Sequence, residues 1–384
     1  MSRIGKQERH GLRTWIEIDR KAIRHNFDVF KGLISEKTKL MAVVKSNAYG
    51  SDLIQFGTEM EKLGADFLGV DSITEARALR REGVVLPILV LGYTMPELFA
   101  EAAEDNISLA VSTFETLDAV YKAKLSKPLK IHIKVDTGMH RQGFLAGDLS
   151  RILAKLNAKR STLNASVEGL FTHFASAKNP AFPKDTKNQI SEFKIWIREF
   201  KKAGLTPIIH ASATAGTMLF PEAHFDMVRI GIGLYGLWPA KEVREYLRGH
   251  ISLMPVLTWK GIVTEVKSLP RGSRIGYDLT ETLSIDSRVA VVPIGYWHGY
   301  PRALSSIGRV VVRGKECRVL GRVSMDMISI DVTAVKGVQV EDDVVIIGHE
   351  SAKTASAEGI SDILDASWYE VVTRINPLIK RIYT

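Results

Sequence analysis

The sequence predicts an α/β fold: a (β/α)8 barrel of the TIM type followed by a mainly β C-terminal domain. Short β-rich runs alternate with amphipathic helical patterns eight times along the N-terminal part of the chain. From about Pro255 the runs stay β-rich but are joined by Gly, Lys and Asp turns without helices between them. Eight alternating units favour a closed parallel barrel over an open doubly wound sheet. We therefore expect the barrel at residues 14–245 and the β domain at residues 246–384.

The predicted barrel strands are short apolar runs, as expected for parallel strands that are buried on both faces. In chain order they are LMAVV from residue 40, FLGV from 67, PILVLG from 87, ISLAV from 107, LKIHIKVD from 129, SVEGLFTHF from 166, TPIIHA from 206 and FDMVRIG from 225.

The predicted helices show apolar residues at intervals of three and four. A helix precedes the first barrel strand, with one apolar stripe formed by Ile23, Phe27, Phe30 and Ile34. The helix after the second strand begins with Ser72 as a cap, and Glu75 completes a capping box. A long amphipathic stretch from about Asp185 to Ala203 forms the helix after the sixth strand. Near the C-terminus only ILDASWYEVVTRIN returns to a helical pattern.

Composition excludes several classes of protein. The chain has 45% hydrophobic and 25% charged residues, typical of a globular protein, and no apolar run approaches the length of a membrane span. The single cysteine, Cys317, excludes a disulfide framework and a cysteine-based zinc cluster, so we expect a cytoplasmic protein without a structural metal. The net charge of +9 is scattered along helices and lacks the basic block of a nucleic-acid-binding protein.

Side chains that can act as nucleophiles, as bases or as anion-binding groups lie at or just beyond the ends of several predicted strands. The active sites of (β/α)8 barrels lie at these ends. Each of them alone is as compatible with a packed or surface residue as with a catalytic one. Together they suggest one site at the C-terminal face of the barrel. They are Lys45, Lys134, Asp136, Arg141, His173, His210 and Arg229.

The last two barrel loops predict a phosphate site. HASATAG offers the hydroxyls of Ser212 and Thr214 at the start of a helix, and RIGIG offers backbone N–H groups beside Gly231 and Gly233. Loops after the seventh and eighth strands often hold phosphate in such barrels. A lysine after the first strand, facing a phosphate site, indicates pyridoxal 5'-phosphate held covalently as an imine.

Eight sequence blocks in order then resemble one family from about Thr14 to the C-terminus. They are AVVKSNAYG, KVDTGMHRQGF, GLFTHFA, VRIGIGLYG, IGYD, PIGYWHGY, GRVSMDM and WYEVVTR. Together they resemble bacterial alanine racemase, a fold-type III pyridoxal phosphate enzyme. The resemblance implies interconversion of L-alanine and D-alanine, which supplies D-alanine for peptidoglycan.

The resemblance also implies the catalytic residues. Lys45 is implied to bind the cofactor and to act as one acid/base, with Tyr277 from the partner subunit of a homodimer as the second. Two opposed bases suit racemisation, because a proton leaves one face of a planar carbon and returns on the other. Tyr277, His173 and Arg229 match a hydrogen-bonded chain of the family. Arg229 is implied to face the pyridine nitrogen, to which a guanidinium can only donate.

Further residues match binding positions of the family. Arg141 and the N–H of Met325 are implied to orient the substrate carboxylate, and Lys134 matches a lysine that is often carbamylated and that steadies this arginine. Tyr296 matches a gate that narrows substrate access. Around the cofactor phosphate the matching residues are Tyr49, Thr214, Gly231, Ile232 and Tyr369.

Three segments depart from the usual family pattern. AYGSD carries Ser51 and Asp52 where the family usually has histidine and glycine. In SATA, Ala213 replaces a common asparagine, while Thr214 keeps a hydroxyl for phosphate. Trp297 and His298 stand in the gate segment in place of the usual alanine and aspartate. None of these changes affects Lys45, Tyr277 or Arg229, so they concern specificity rather than chemistry.

Two alternative activities stay open on the sequence. A racemase with broader or different specificity, for serine or a basic amino acid, fits the same catalytic residues. A fold-type III decarboxylase shares the two domains but needs a carboxylate near the pyridine nitrogen and lacks the IGYD tyrosine. The sequence also leaves open whether the enzyme serves D-alanine synthesis or breakdown.

Overall fold

A computed structural model describes residues 9–158, 165–348 and 354–384. The chain divides into two compact units. The barrel unit contains Ile23–Ala48 and Leu53–Met254, and the β unit contains the residues up to Ala22, Tyr49–Asp52 and Pro255–Thr384.

The strands lie in both units. In chain order they are β1 (Thr14–Ile18), β2 (Lys39–Val43), β3 (Phe67–Val70), β4 (Ile88–Val90), β5 (Ile107–Val111), β6 (Leu129–Lys134), β7 (Ala165–Phe171), β8 (Ile208–His210), β9 (Met227–Ile230), β10 (Leu257–Ile262), β11 (Glu265–Leu269), β12 (Arg274–Ile275), β13 (Glu281–Thr282), β14 (Ser287–Val292), β15 (Arg309–Val312), β16 (Lys315–Leu320), β17 (Ile328–Asp331), β18 (Asp343–Ile347) and β19 (Arg381–Tyr383).

Most right-handed α-helices belong to the barrel unit. They are α1 (Arg20–Leu33), α2 (Leu53–Leu63), α3 (Ile73–Arg81), α4 (Phe99–Glu104), α5 (Phe114–Lys122), α6 (Leu149–Ala158), α7 (Lys184–Lys202), α8 (Thr214–Leu219), α9 (Lys241–Tyr246), α10 (Ala357–Leu364) and α11 (Trp368–Thr373). Short 3-10 turns, among them residues 232–235 and 277–279, connect several elements.

Strands β2 to β9 form a closed parallel barrel, which confirms the predicted fold class. The last strand closes on the first, with Lys39 opposite Met227. Along each strand, side chains alternate between the inside of the barrel and the surrounding helices. Apolar side chains therefore fill the interior of the barrel. One buried cluster joins Met41, Phe67, Leu89 and Met227. All eight predicted strands are present in the expected order.

Helix α3 begins as the sequence predicts, with one difference. The hydroxyl of Ser72 caps the helix by accepting the N–H of Glu75. The carboxylate of Glu75, however, accepts the N–H of Asp71 and not that of Ser72. The predicted capping box is therefore wrong in this half, because the carboxylate is shared with another segment, which is described below.

The β unit is built on a nine-stranded sheet in the order β11-β14-β17-β16-β15-β18-β10-β1-β19. Strand β1 pairs antiparallel with β10 and parallel with β19. Residues 14–18 therefore belong to this sheet, whereas the sequence-based boundary assigned them to the barrel. The difference arises because the pairing partners of β1 lie far along the chain, where local patterning carries no information on them.

The described residues include neither a helix suited to cross a membrane nor a cluster of metal-ligating side chains. None of their helices combines the length and the apolar character that a membrane crossing requires. No three of their His, Cys, Asp and Glu side chains come together as a metal-binding group.

Candidate active site

Lys45 follows β2 and begins a left-handed turn. This turn, Lys45–Tyr49, has positive φ angles of 57°, 55° and 50° at Ser46, Asn47 and Ala48. A left-handed conformation costs a residue with a Cβ roughly 1–2 kcal/mol. Successive residues of this kind therefore need stabilising contacts from elsewhere in the fold.

Acidic residues of the next βα segment provide contacts for this turn. The carboxylate of Glu75 accepts hydrogen bonds from the N–H groups of Ser46 at 2.6 Å and Asn47 at 3.4 Å. The Lys45 Nζ lies 3.5 Å from a carboxylate oxygen of Asp71, and the side chain of Lys45 is 39% exposed. Glu75 thus orders the backbone after Lys45, while Asp71 faces its amine.

Arg229 on β9 is held inside the mouth of the barrel by acceptors from two neighbouring loops. One terminal nitrogen donates to His210 Nδ1 at 3.0 Å. The other lies within 3.0 Å of His173 Nδ1 and of the carbonyl oxygens of Thr172 and Ala211. Burial lowers the pKa of Arg229 to about 9, so it remains a cation at neutral pH. Its Nε–H donates to no acceptor in the described chain.

Several of the predicted site residues converge on His173. Burial, followed by the charges of Arg229, Arg141, Lys134 and Lys45, lowers the pKa of His173 to about 3. The ring is therefore neutral, and its Nδ1 accepts from Arg229. The proton consequently resides on Nε2, which is available as a donor. Four predicted site cations act electrostatically on this one histidine.

Lys134 ends β6 and points to a partner that the sequence analysis did not identify. Its Nζ donates to the amide oxygen of Gln142 at 2.7 Å. Burial and then the charge of Arg141 lower the pKa of Lys134 to about 8. Arg141 itself is exposed and makes no hydrogen bond to the described residues.

Thr214 links the last two barrel loops. Its Oγ1 accepts the N–H groups of Gly231 and Gly233, each at 3.3 Å, and therefore keeps its own hydrogen for an outside acceptor. The N–H of Ile232, between them, has no acceptor within the described ranges. Gly233 is required because a Cβ there would lie 2.3 Å from the Phe30 ring. These groups form a small set of donors suited to phosphate.

Within the β unit, two predicted cofactor residues are neighbours. The rings of Tyr49 and Tyr369 lie 6.0 Å apart between centroids. Burial raises the pKa of Tyr49 to about 12, and burial together with Tyr49 raises that of Tyr369. Both phenols therefore stay protonated at physiological pH and are able to donate hydrogen bonds.

The predicted gate residue Tyr296 and its neighbours also meet Met325 in the β unit. The N–H of Tyr296 donates to the carbonyl of Ser324, and the N–H of Trp297 donates to that of Met325. The Met325 N–H makes no hydrogen bond in the described chain. His298 Nδ1 accepts the N–H of Gly295, and burial lowers the pKa of His298. Two of the departures from the family pattern thus lie beside Tyr296 and Met325.

Tyr277 occupies a short 3-10 turn of the β unit and is 69% exposed. Its hydroxyl has no hydrogen bond to any residue that the structure describes. Asp278, the next residue, has a φ angle of 57° and an ion pair with Arg322 at 3.1 Å. The turn therefore presents the Tyr277 phenol away from the unit that carries it.

Sequence reasoning missed two polar residues behind His210, the buried His132 and the partly buried Glu168. His132 on β6 lies between His210 and Glu168 of β7, with nitrogen to acceptor distances of 2.8 Å and 3.0 Å. A signal was present, since a histidine interrupts the apolar run LKIHIKVD. The partners of this histidine, however, lie on other strands, and hydrophobic periodicity does not reveal contacts between strands.

Two family matches cover nearly all of this chain. The alanine racemase N-terminal domain matches residues 18–239, and the alanine racemase C-terminal domain matches residues 256–383. Among curated proteins, the alanine racemase of Symbiobacterium thermophilum is 39% identical, over 97% of this chain and 98% of its own. That of Methanococcus maripaludis is 38% identical, over 96% and 98%.

Solved structures agree with the sequence comparisons. An alanine racemase of Clostridium difficile 630 superimposes with a TM-score of 0.91 at 31% identity, covering 97% of this chain and 96% of that one. An alanine racemase of Bacillus anthracis with bound L-Ala-P gives 0.90 at 32% identity, covering 97% and 95%. Fold and sequence therefore point to the same relatives.

Proposed function

Because this chain belongs to the alanine racemase family and is an enzyme of that family, we propose that it interconverts L-alanine and D-alanine with pyridoxal 5'-phosphate and two opposed bases. The observation that carries the proposal is the convergence on His173. Arg229 contacts its ring at 3.0 Å, and the charges of Arg141, Lys134 and Lys45 act on it.

The donors of the barrel unit suit the proposed cofactor. Arg229 keeps an Nε–H without a protein acceptor in the described chain, as a pyridine nitrogen requires. The Thr214 hydroxyl and the Ile232 N–H suit the phosphate, with Gly231 beside them. Lys45 would provide the covalent attachment. When bound, pyridoxal phosphate acidifies the Cα–H of the attached amino acid. Tyr49 and Tyr369 would add phenol donors around the phosphate.

In the proposed reaction Lys45 and Tyr277 exchange protons with opposite faces of the substrate Cα. The carboxylate of Asp71, 3.5 Å from the Lys45 amine, faces this base from the barrel unit. In the proposed dimer the Nε2–H of His173 would be free to donate to the phenol oxygen of the partner's Tyr277. Arg141 and the Met325 N–H would hold the substrate carboxylate.

The proposed active enzyme is a homodimer with shared sites. Tyr277 is exposed in the single chain, and other large apolar side chains of the β unit are exposed with it, namely Leu279, Trp297, Met325 and Met327. Large exposed apolar side chains are typical of a surface that another protein covers. A second copy of this chain would cover them and bring Tyr277 to the partner's Lys45.

Alanine is the proposed substrate because a gate at Tyr296 would narrow the access to a small side chain. Supply of D-alanine for peptidoglycan is the proposed role, in the cytoplasm. A racemase of wider specificity is the second candidate, and the substitutions at Trp297 and His298 favour it. A decarboxylase is disfavoured because Arg229, not a carboxylate, matches the position at the pyridine nitrogen.

The test combines absorbance spectra of the protein with analysis of the amino-acid products. Wild-type protein incubated with pyridoxal phosphate should show an imine absorbance band that borohydride reduction fixes to Lys45, and L-alanine should yield D-alanine. Lys45→Ala should lose the fixed label and the product. Lys62→Ala, an exposed lysine of α2, is the matched control and should retain both. A labelled enzyme that racemises serine but not alanine would support the second candidate, and no binding of the cofactor would overturn the proposal.

A further inference from the structure

A partly buried carboxylate on β7 is connected to Arg229 through two histidines. Glu168 accepts from His132 Nε2 at 3.0 Å, His132 Nδ1 lies 2.8 Å from His210 Nε2, and His210 Nδ1 lies 3.0 Å from Arg229. Both rings are fully buried. We call these four residues the barrel chain.

The backbone is shaped to admit this chain. Strands β6 and β7 change register after Ile131, so that Val167 and Gly169 face consecutive residues of β6 and Glu168 is the extra residue of a bulge. A Cβ at Gly169 would lie 2.0 Å from His132 Nδ1. The bulge and the glycine together aim Glu168 at the His132 ring and leave space for that ring.

The hydrogen bonds of the barrel chain have one consistent direction. Arg229 has only donors, so His210 Nδ1 must accept and His210 Nε2 must carry the hydrogen. That hydrogen goes to His132 Nδ1, and the hydrogen on His132 Nε2 goes to Glu168. Both histidines are therefore neutral and protonated on Nε2. Moving the hydrogen of either histidine from Nε2 to Nδ1 would place two N–H donors opposite each other.

The acidity of each group agrees with this assignment. Burial and then the charge of Arg229 lower the pKa of His210, and burial lowers that of His132 although Glu168 opposes it. Burial alone would raise the pKa of Glu168, but hydrogen bonds from His132 and Ser108 lower it to about 2. The far end of the barrel chain is consequently an anion, and Ser108 and Lys130 lie beside it.

We propose that Glu168 is a positioning residue for racemisation, which acts through His132 and His210 to hold Arg229 as an oriented donor. The proposal deepens the proposed function and rests on the role given there to Arg229. An imidazole that accepts firmly at Nδ1 keeps the guanidinium in place, and a carboxylate at the end of a chain of polarised hydrogen bonds strengthens that acceptor. Without the anion both rings can change tautomer, and Arg229 loses one of its acceptors.

The test uses the holoenzyme and Glu168→Gln, which preserves volume and removes the charge. We expect kcat to fall about tenfold in both directions with KM changed less than twofold, because Arg229 does not bind the substrate carboxylate. The 15N signals of labelled histidine side chains should show two Nε2–H tautomers in wild type that lose this single form in the variant. Glu61→Gln, which removes a carboxylate that accepts the N–H groups of Val85 and Leu86, is the matched control and should keep kcat within twofold.

A double-mutant cycle tests whether Glu168 acts through His132. His132→Phe should lower kcat by a similar factor, and adding Glu168→Gln to it should cost less than a further twofold. Ser108→Ala removes one hydrogen bond to Glu168 with little change in volume and should lower kcat two- to threefold, even if the phenylalanine variant does not fold. If the wild-type enzyme is active and Glu168→Gln has the same kcat and the same histidine spectra, this inference is overturned while the proposed function stands. A wild type that binds no cofactor would overturn the proposed function instead.

Discussion

The carboxylate of Glu75 accepts the backbone N–H of Ser46 at 2.6 Å, which ties the first turn of α3 to the residue directly after Lys45. The other oxygen of the same carboxylate accepts the N–H of Asp71 at 2.9 Å. One side chain therefore joins the turn that carries Lys45 to the loop that carries Asp71. Glu75 therefore helps to position both the Lys45 amine and the Asp71 carboxylate that faces it.

Replacing Glu75 with glutamine should weaken this support. One oxygen of Glu75 accepts the N–H groups of Ser46 and Asn47 and the other accepts that of Asp71. Glutamine keeps only one of these oxygens, and its amide NH2 group would face the remaining N–H donor or donors. We expect an unfolding free energy lower by about 1 kcal/mol, the net contribution of a typical hydrogen bond, and a lower kcat. Ser72→Ala is the control, since it removes only the helix cap, costs about 1 kcal/mol, and should leave kcat unchanged. Equal kcat values in the two variants would contradict the role of Glu75.

Thr214→Val should impair cofactor binding. Valine has nearly the same shape, but it leaves the N–H groups of Gly231 and Gly233 without their acceptor and removes the free hydroxyl. We expect the dissociation constant for pyridoxal phosphate to rise about tenfold, equivalent to about 1.4 kcal/mol, as measured by titrating cofactor-free protein. Thr214→Ser keeps the hydroxyl and should bind within a few-fold of wild type. Unchanged binding in the valine variant would place the phosphate elsewhere.

Lys134 should react with carbon dioxide. Its lowered pKa of about 8 leaves a neutral fraction in mildly alkaline solution, and a neutral amine adds to carbon dioxide with loss of one proton to give a carbamate anion beside Arg141. Protein kept in 13C-labelled bicarbonate should show a carbamate carbon signal that disappears in Lys134→Gln. Lys130→Gln, on the same strand, should retain it. A signal that persists in Lys134→Gln would come from another amine.

Stability should fall on mild acidification. The pKa of His173 is about 3 in the folded chain against an ordinary value of 6.5, so the unfolded chain binds more protons between these values. Stability is then complete above about pH 6.5 and is lost as the pH falls, by about 1.4 kcal/mol per pH unit for each such histidine. His132 and His210 shift in the same direction. Urea unfolding between about pH 6.5 and about pH 5 should show this slope, reduced by one proton in His173→Asn. Stability independent of pH would contradict neutral buried histidines.

Mixed dimers should recover activity. Lys45→Ala and Tyr277→Phe chains are each expected to be inactive, but a heterodimer would contain one intact shared site. Random reassociation should restore up to about one quarter of the wild-type activity, because half the dimers are mixed and half their sites are intact. Mixing either variant with itself is the control. Confirmed heterodimers without activity would argue against a shared site.

Local patterning predicted much of the barrel correctly. The apolar runs at β2 to β9 and the stripes of the intervening helices follow from burial, which acts on neighbouring residues and leaves a periodic record. The limits of that record appear at β1, which joins β10 and β19 of the other unit, and at Glu75, whose carboxylate accepts the N–H groups of Ser46 and Asp71 and not that of Ser72. In both cases the deciding contact comes from a remote segment.

The sequence by itself determined the (β/α)8 barrel, the mainly β domain and the likeness to alanine racemase, because hydrophobic periodicity and ordered motifs are properties of the chain read in line. Only the tertiary structure decided that Arg229 is held by His173 and His210, that Glu75 supports the left-handed turn after Lys45, and that a β-bulge aims Glu168 at His132. Hydrogen-bond direction and buried charge depend on which distant groups lie within about 3 Å of each other. That distance is set by the closure of the barrel.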